Sequence, residues 1–169
     1  ALLPELMQNG VTPYFHVFVD ADPMNSNQYL VQTYQGGIGL GERDYYLEND
    51  ANTKNIRDKY AAHIASMFEK EGFTKTETKK NRDAVMKIET RLAKSAYDNV
   101  KLRDPRANYN KMTVADLQKM VPQIDWNTFF AKFNLKTLKD LSVSQKENLV
   151  EVGNIIASEP IEAQKAYLQ

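Results

Sequence analysis

From residue 49 to residue 97 the sequence keeps helical spacing with a single interruption, and this stretch restricts the fold more than any other. Ile56, Tyr60, Ile64, Met67 and Phe68 fall on one face of a helix over residues 49–71. Asn49 or Asp50 is placed to cap its start, and Gly72 to end it. A second helix is expected from about residue 74 to residue 97, with Val85, Ile88, Leu92 and Ala96 as its apolar stripe and Thr74 or Thr76 as its cap. Only the residues around Gly72 and Phe73 join the two, so an antiparallel pair is expected. At 169 residues the chain is the size of one domain. Such a chain can bury roughly 70% of its unfolded surface without help from disulfides.

The flanks add smaller pieces. Leu2, Leu3, Leu6 and Met7 suit one face of a short helix that Gly10 can stop. Residues 14–19 are aromatic and β-branched, residues 20–27 have a turn composition, and residues 28–34 are again strand-like, which predicts a β-hairpin. Four of the seven glycines then crowd into residues 36–41, a tightly folded loop. Thr113 and Asp116 have capping-box spacing, and the helix they open should end before Pro122. Asp125 can cap a short helix with Trp126, Phe129, Phe130 and Phe133 on its apolar face. Residues 138–143 suit an extended segment, residues 144–158 a helix, and Pro160 the start of the last one. The fold class expected is mainly α, with long antiparallel helices and a small N-terminal β-hairpin. The chain begins without Met and closes on helical spacing, so both ends are expected to be cut from something longer.

Much chemistry is excluded. Without cysteine there is no disulfide, thiolate zinc site, iron–sulfur cluster or cysteine nucleophile. The two histidines, His16 and His63, are too far apart in sequence for the four-residue spacing of a helical zinc motif. Each is expected to be a partly buried, hydrogen-bonded side chain. The 22 basic and 22 acidic residues cancel, leaving no basic field for nucleic acid. Lys79, Arg82, Lys87 and Arg91 alternate with Glu77, Asp83 and Glu89, which reads as a solvated helix face. The run Gly37-Ile-Gly-Leu-Gly41 lacks the Gly-Lys-Ser/Thr ending of a P-loop and the spacing of a dinucleotide fingerprint. Asp20 and Asp22 begin a sequence faintly like a calcium loop, but it lacks the loop glycine and the closing glutamate. No stretch approaches the ~20 apolar residues of a membrane helix.

Two linked motifs carry more information. Gly39-Leu-Gly-Glu-Arg-Asp-Tyr-Tyr-Leu47 resembles the Gly-Leu-Pro-x-Arg-Asp-Tyr-Tyr segment of the neprilysin-type zinc metalloendopeptidases. Asp104-Pro-Arg-Ala-Asn-Tyr-Asn-Lys-Met-Thr113 resembles their Asp-Pro-x-x-x-Tyr-Asn-Lys-Met-Thr segment, in the same order and at a similar distance. The one visible departure is Gly41, where the family usually has proline, and it is expected to loosen the loop. The resemblance implies that residues 1–169 are part of the helical, non-catalytic domain of a larger enzyme. That enzyme cleaves small peptides within a cavity enclosed by two domains. Its zinc, its His-Glu-x-x-His helix and its other catalytic groups lie outside this sequence, so no catalytic, cofactor-binding or metal-binding residue carries over. The partners implied are the missing catalytic domain of the same chain and peptide substrates, with no nucleic acid and no membrane segment in this part. Residence outside the cytoplasm and a bacterial source are expected.

The motif residues Arg43, Asp44, Tyr45, Tyr46, Asp104, Pro105, Tyr109, Asn110, Lys111 and Met112 are expected to be structural. Arg43 and Asp44 would satisfy loop carbonyls and amides while Tyr45 and Tyr46 pack the loop on the helices, so Arg43→Ala should lower the melting temperature. The alternative reading is a free-standing helical interaction module that binds a protein through exposed Tyr14, Phe15 and Phe18.

Overall fold

The computed structural model describes residues 2–169. In chain order the elements are α1 (Leu2–Gln8), β1 (Phe15–Asp22), β2 (Asn25–Gln35), α2 (Asp44–Leu47), α3 (Ala51–Lys70), α4 (Lys75–Ser95) and α5 (Asn99–Leu102). They continue with β3 (Lys111–Thr113), α6 (Val114–Met120), α7 (Trp126–Lys132), β4 (Asp140–Val143), α8 (Lys146–Ser158) and α9 (Ile161–Leu168). The chain is mainly helical with a small sheet.

The long pair forms as its caps dictate. The Asp50 carboxylate accepts from the N–H groups of Asn52 and Thr53 at the start of α3. Thr74 and Glu77 close a reciprocal capping box at the start of α4. Gly72, at φ +93°, supplies the left-handed turn between them. Tyr60 meets Glu89, and Ile64 packs with Val85 in a small core that includes Phe68 and Ala166, so the helices run antiparallel. The rest of the α4 stripe, Ile88 and Leu92, joins the main core, where Trp126, Phe129 and Phe130 of α7 pack on Phe15, Leu141, Leu149 and Ile155.

The hairpin belongs to a larger sheet than the sequence suggests. The strand order is β1-β2-β4-β3, with β1/β2 and β3/β4 antiparallel and β2/β4 parallel. The turn is also tighter than residues 20–27, because Asp22 already pairs with Asn25 and leaves only Pro23 and Met24 at the tip. A short helix not expected from the sequence, α5, follows α4 and is capped by Asp98.

Three further expectations are corrected. His16 and His63 are both exposed. Tyr14 and Phe15 are each 1% exposed, buried among core side chains, so of the three aromatics assigned to a binding surface only Phe18 remains outside. The basic face of α4 is not simply solvated. Arg91 Nε donates to Glu151 at 2.8 Å and Arg91 Nη1 to Glu159 at 2.6 Å, while Lys87 Nζ donates to Glu159 at 2.8 Å. Burial pushes the Glu159 carboxyl up, but Lys87 and Arg91 outweigh it and hold the group below the usual glutamate range. These bonds tie α4 to the end of α8 and the start of α9.

Candidate functional site

The first motif closes on a buried carboxylate. Glu89 lies within the apolar stripe of α4, 5% exposed, and two tyrosine hydroxyls donate to it: Tyr46 to Oε2 at 2.6 Å and Tyr60 to Oε1 at 2.9 Å. Tyr46 Oη also accepts from the Leu40 N–H at 3.0 Å. Farther along the loop, Tyr167 of α9 donates to the Gly37 carbonyl at 2.8 Å and accepts from the Tyr14 N–H at 3.2 Å. Two tyrosines, Tyr46 of α2 and Tyr167 of α9, thus hold the glycine loop by its backbone, and Tyr60 of α3 packs against it at Gly39. The glycines are what allow this approach. A Cβ at Gly37 would stand 2.7 Å from the Tyr14 backbone, and one at Gly39 would overlap the Tyr60 hydroxyl.

The chemistry of this cluster is that of an anchor. Burial raises the Glu89 carboxyl, although Tyr46, Tyr60 and the Gly39 N–H pull it down. Burial also raises the hydroxyls of Tyr46, Tyr60 and Tyr167, so all three stay protonated donors. Both oxygens of Glu89 accept from protein donors and the group is buried, an arrangement that suits an anchor rather than a general base. Tyr14 carries a cost of its own. It sits at φ +66°, a conformation that costs a bulky residue ~1–3 kcal/mol. Its hydroxyl, pushed up to about 12 by burial and then by Glu159, is buried without a partner among the described residues.

Arg43 does not do the work expected of it. Among the described residues its Nε is buried without a hydrogen-bond partner, and the one carboxylate within reach, that of Asp44, is 4.0 Å away. The loop carbonyls are satisfied by another arginine: Arg57 Nη1, from α3, donates to the carbonyls of Tyr45 and Glu48 at 3.0 Å each. Asp44 is exposed and Tyr45 half-buried; of the four motif residues it is Tyr46 that packs into the core. Gly41 sits at φ +79° in open space, so the loop here follows a path that a proline, fixed near −65°, cannot take.

The second motif is a set of polar clasps. The Asp104 carboxylate accepts from the Arg106 N–H at 2.9 Å, closing a turn around Pro105. Tyr109 and Lys111 both reach back to Asp22 at the hairpin tip, the lysine at 3.2 Å. That carboxylate also accepts from the Met24 N–H, the main reason it lies below the usual aspartate range. The aspartate singled out by the calcium-loop reading is therefore a turn and strand clamp. Asn110 Nδ2 donates to the carbonyls of Ala107, Val143 and Ser144, and Met112 packs against the main core. Among the described residues no hydrogen bond joins the two motifs. They are linked by Gln145, whose side chain accepts from the Gln35 N–H at 2.8 Å, just before the glycine loop, and donates to Asn108.

Among the described residues no three His, Cys, Asp or Glu side chains converge to hold a metal ion. The residues described here do not fit a zinc site. The sequence singles out neither Tyr167 nor Arg57; it puts Tyr60 on an apolar helix face and Glu89 on a solvated one, whereas Glu89 is buried. One of them left a signal: Glu89 is four residues after Val85 and three before Leu92, a carboxylate inside an apolar stripe.

Comparison with known proteins sets this architecture in context. Endothelin-converting enzyme 1 of Bos taurus is 32% identical over 152 residues, covering 87% of this chain and 20% of that enzyme. The same enzyme of Homo sapiens is also 32% identical, over 151 residues. The zinc metalloprotease Zmp1 of Mycobacterium tuberculosis, solved in an open state, superposes with a TM-score of 0.90 at 32% identity. The match covers 98% of this chain and 26% of Zmp1. PepO of Lactobacillus rhamnosis shares the fold, with a TM-score of 0.80 at 16% identity. The chain thus spans about a fifth of the length of the converting enzymes it matches and about a quarter of the solved ones. Residues 1–169 match, end to end, the model of peptidase family M13 for its N-terminal part, and the chain belongs to that family.

Proposed function

We propose that this chain is a non-catalytic portion of a zinc metalloendopeptidase, that its parent cleaves small peptides, and that these residues wall the substrate cavity and limit what can enter. The observation that carries the reading is the near-complete superposition on a zinc metalloprotease of which the chain covers only 26%. The motif chemistry agrees with it. Glu89 and its tyrosines, and Asn110 and Asp22 with their partners, hold backbone in place and present no reactive group. Zinc, the catalytic residues and most of the substrate contacts are assigned to the rest of the polypeptide, with residence outside the cytoplasm.

Two measurements test this. The 169-residue chain, incubated with zinc, should hydrolyse no quenched fluorescent peptide; chelator-sensitive hydrolysis would overturn the placement. The full-length protein should lose kcat/KM steeply as substrates lengthen from short peptides to unfolded proteins. A flat length profile would overturn the wall role.

A further inference from the structure

The sheet ends in an open edge. β1 is its outermost strand, and among the described residues no strand lies beyond it. The alternation of the backbone shows which of its groups are free. The Thr33 carbonyl accepts from the Ser144 N–H at 3.1 Å, so Thr33, and Val31 two residues before it, turn their backbone groups toward β4. Their antiparallel partners, Val17 and Val19, therefore turn theirs away from β2 and off the sheet. On either side the outward N–H groups are taken locally. Phe15 donates to the Pro13 carbonyl at 2.8 Å, and Ala21 donates to the Asp20 carboxylate at 2.7 Å. The open donors are thus confined to Val17 and Val19. Around them Phe18 is 40% and Val19 58% exposed. Neither lysine nor proline, which ordinarily blunt such an edge, stands in residues 15–22.

We propose that this edge is the docking site for a second copy of the chain, the two β1 strands pairing antiparallel about Phe18. Each strand offers two open residues, and one register uses all of them. It sets Val17 opposite Val19 of the second copy, and the converse, and closes a ladder of backbone hydrogen bonds. Shifted by two residues either way, the ladder meets the occupied N–H of Phe15 or of Ala21. The side chains agree with that register. Phe18 falls opposite Phe18 of the second copy, an aromatic cross-strand pair. His16 falls opposite Asp20 of the second copy, at both ends, so that an imidazole N–H twice faces a carboxylate. Pairing centred on Asp20 or on His16 would instead set like groups face to face. Backbone polarity and charge complementarity thus select the same occupant, this chain itself, in the same register. A peptide of arbitrary sequence would use the backbone groups but has no counterpart to the His16–Asp20 exchange.

Sedimentation equilibrium of the 169-residue chain, with amide hydrogen exchange followed residue by residue by NMR, tests this. The pairing buries a small area, so a weak dimer is expected, forming on the order of 10–500 μM chain. As concentration rises, the amides of Val17 and Val19 should slow at least ~3-fold, while those of His16, Phe18 and Asp20, already directed at β2, should not change. Phe18→Lys should abolish the dimer. Asp20→Lys should weaken it at least ~10-fold, and adding His16→Asp should restore it, because opposite charges face each other again. All three side chains are exposed, so each variant should melt within ~2 °C of the unaltered chain. Should a variant fail to fold, the amide pattern of the unaltered chain decides. A chain that stays monomeric across that range would overturn the proposal. So would a dimer that survives Phe18→Lys, or a double variant no tighter than Asp20→Lys alone. Val17 and Val19 amides that slow only when an unrelated extended peptide is added would also overturn it, and would assign the edge to peptides. None of these readouts depends on peptidase activity or on the chain's place in a larger enzyme.

Discussion

Gly39→Ala puts the tyrosine clamp under direct test. Gly39 does not have a positive φ, so alanine is acceptable to the backbone and the whole cost arises from crowding. The added Cβ would overlap the Tyr60 hydroxyl and stand 2.7 Å from Tyr60 Cζ. Tyr60 cannot withdraw freely, because its hydroxyl donates to buried Glu89. Either the loop shifts, straining the Tyr46–Leu40 bond, or Tyr60 swings out and leaves Glu89 with one fewer donor. Overpacking costs ~1–3 kcal/mol. A hydrogen bond to a charged group is worth ~1.5–3 kcal/mol. Since one response partly replaces the other, a loss of about 2–4 kcal/mol is expected. For a chain of this length that is a fall of roughly 5–12 °C in melting temperature, read by far-ultraviolet circular dichroism. Gly41→Ala is the control. It sits in open space at φ +79°, so only backbone strain of ~1 kcal/mol applies. Combining Gly39→Ala with Tyr60→Phe removes the overlapping hydroxyl and should recover at least ~1 kcal/mol of the sum of the single effects. If Gly39→Ala costs no more than Gly41→Ala, or if the pair is simply additive, the clamp does not hold the loop as described.

Arg91→Ala should cost ~2–4 kcal/mol in urea unfolding, because it leaves Glu159, with a 3% exposed side chain, to Lys87 alone; Lys87→Ala should cost under ~1 kcal/mol, since that lysine is 63% exposed. Equal costs would contradict the account of the brace. Glu89 gives a pH signature. Its folded carboxyl keeps its proton to higher pH than the unfolded chain does, so stability is lost as pH rises from the ordinary glutamate value through the raised one, and the penalty is complete above it. The stability of the wild type minus that of Glu89→Gln should therefore decline across that window, and a flat or rising difference would refute the assignment. Arg43→Ala should move the melting temperature of the 169-residue chain by less than ~2 °C, because no hydrogen bond is lost; a fall above ~4 °C would restore the loop-bracing role.

What could be read from the sequence was what is settled locally. Asp50, Thr74, Thr113 and Asp125 cap helices through hydrogen bonds to backbone two or three residues ahead; type and spacing single out Thr113 and Asp125 and narrow each of the other two to a pair of candidates. The sheet was not legible in the same way. Val31 pairs with Leu141 in parallel, across most of the chain, and nothing near either residue states that register. Tyr14 and Phe15 sit in an aromatic, strand-like run that suits an exposed edge or a core equally well. Burial chose the core because Trp126 and Phe129 stand opposite Phe15. The arginines show the same limit. Arg43 lies in the motif and Arg57 on a helix, yet the second one reaches the loop carbonyls. Only the angle between α2 and α3 decides that, and sequence spacing does not contain it.

The two unpartnered groups that matter, Arg43 Nε and Tyr14 Oη, stand out against an otherwise well-satisfied set of motif contacts. Asp22, Glu89, Asn110 and Gln145 each use their hydrogen-bonding capacity more than once. A buried polar atom left unpaired costs ~1–3 kcal/mol, and folded proteins retain few of them. Thr78 Oγ1, the third, is a lone hydroxyl within a long helix. Arg43 and Tyr14 differ from it in kind. One is the arginine of a family motif whose expected loop partners are taken by Arg57. The other holds a costly backbone conformation within the main core. Tyr14 is closed inside this unit, whereas the Arg43 side chain is 28% exposed and open to a partner elsewhere in a longer polypeptide. With such a partner, Arg43→Ala is nearly silent in the 169-residue chain and costly in the full-length protein. That contrast separates a residue that builds this unit from one that joins it to the rest of the enzyme.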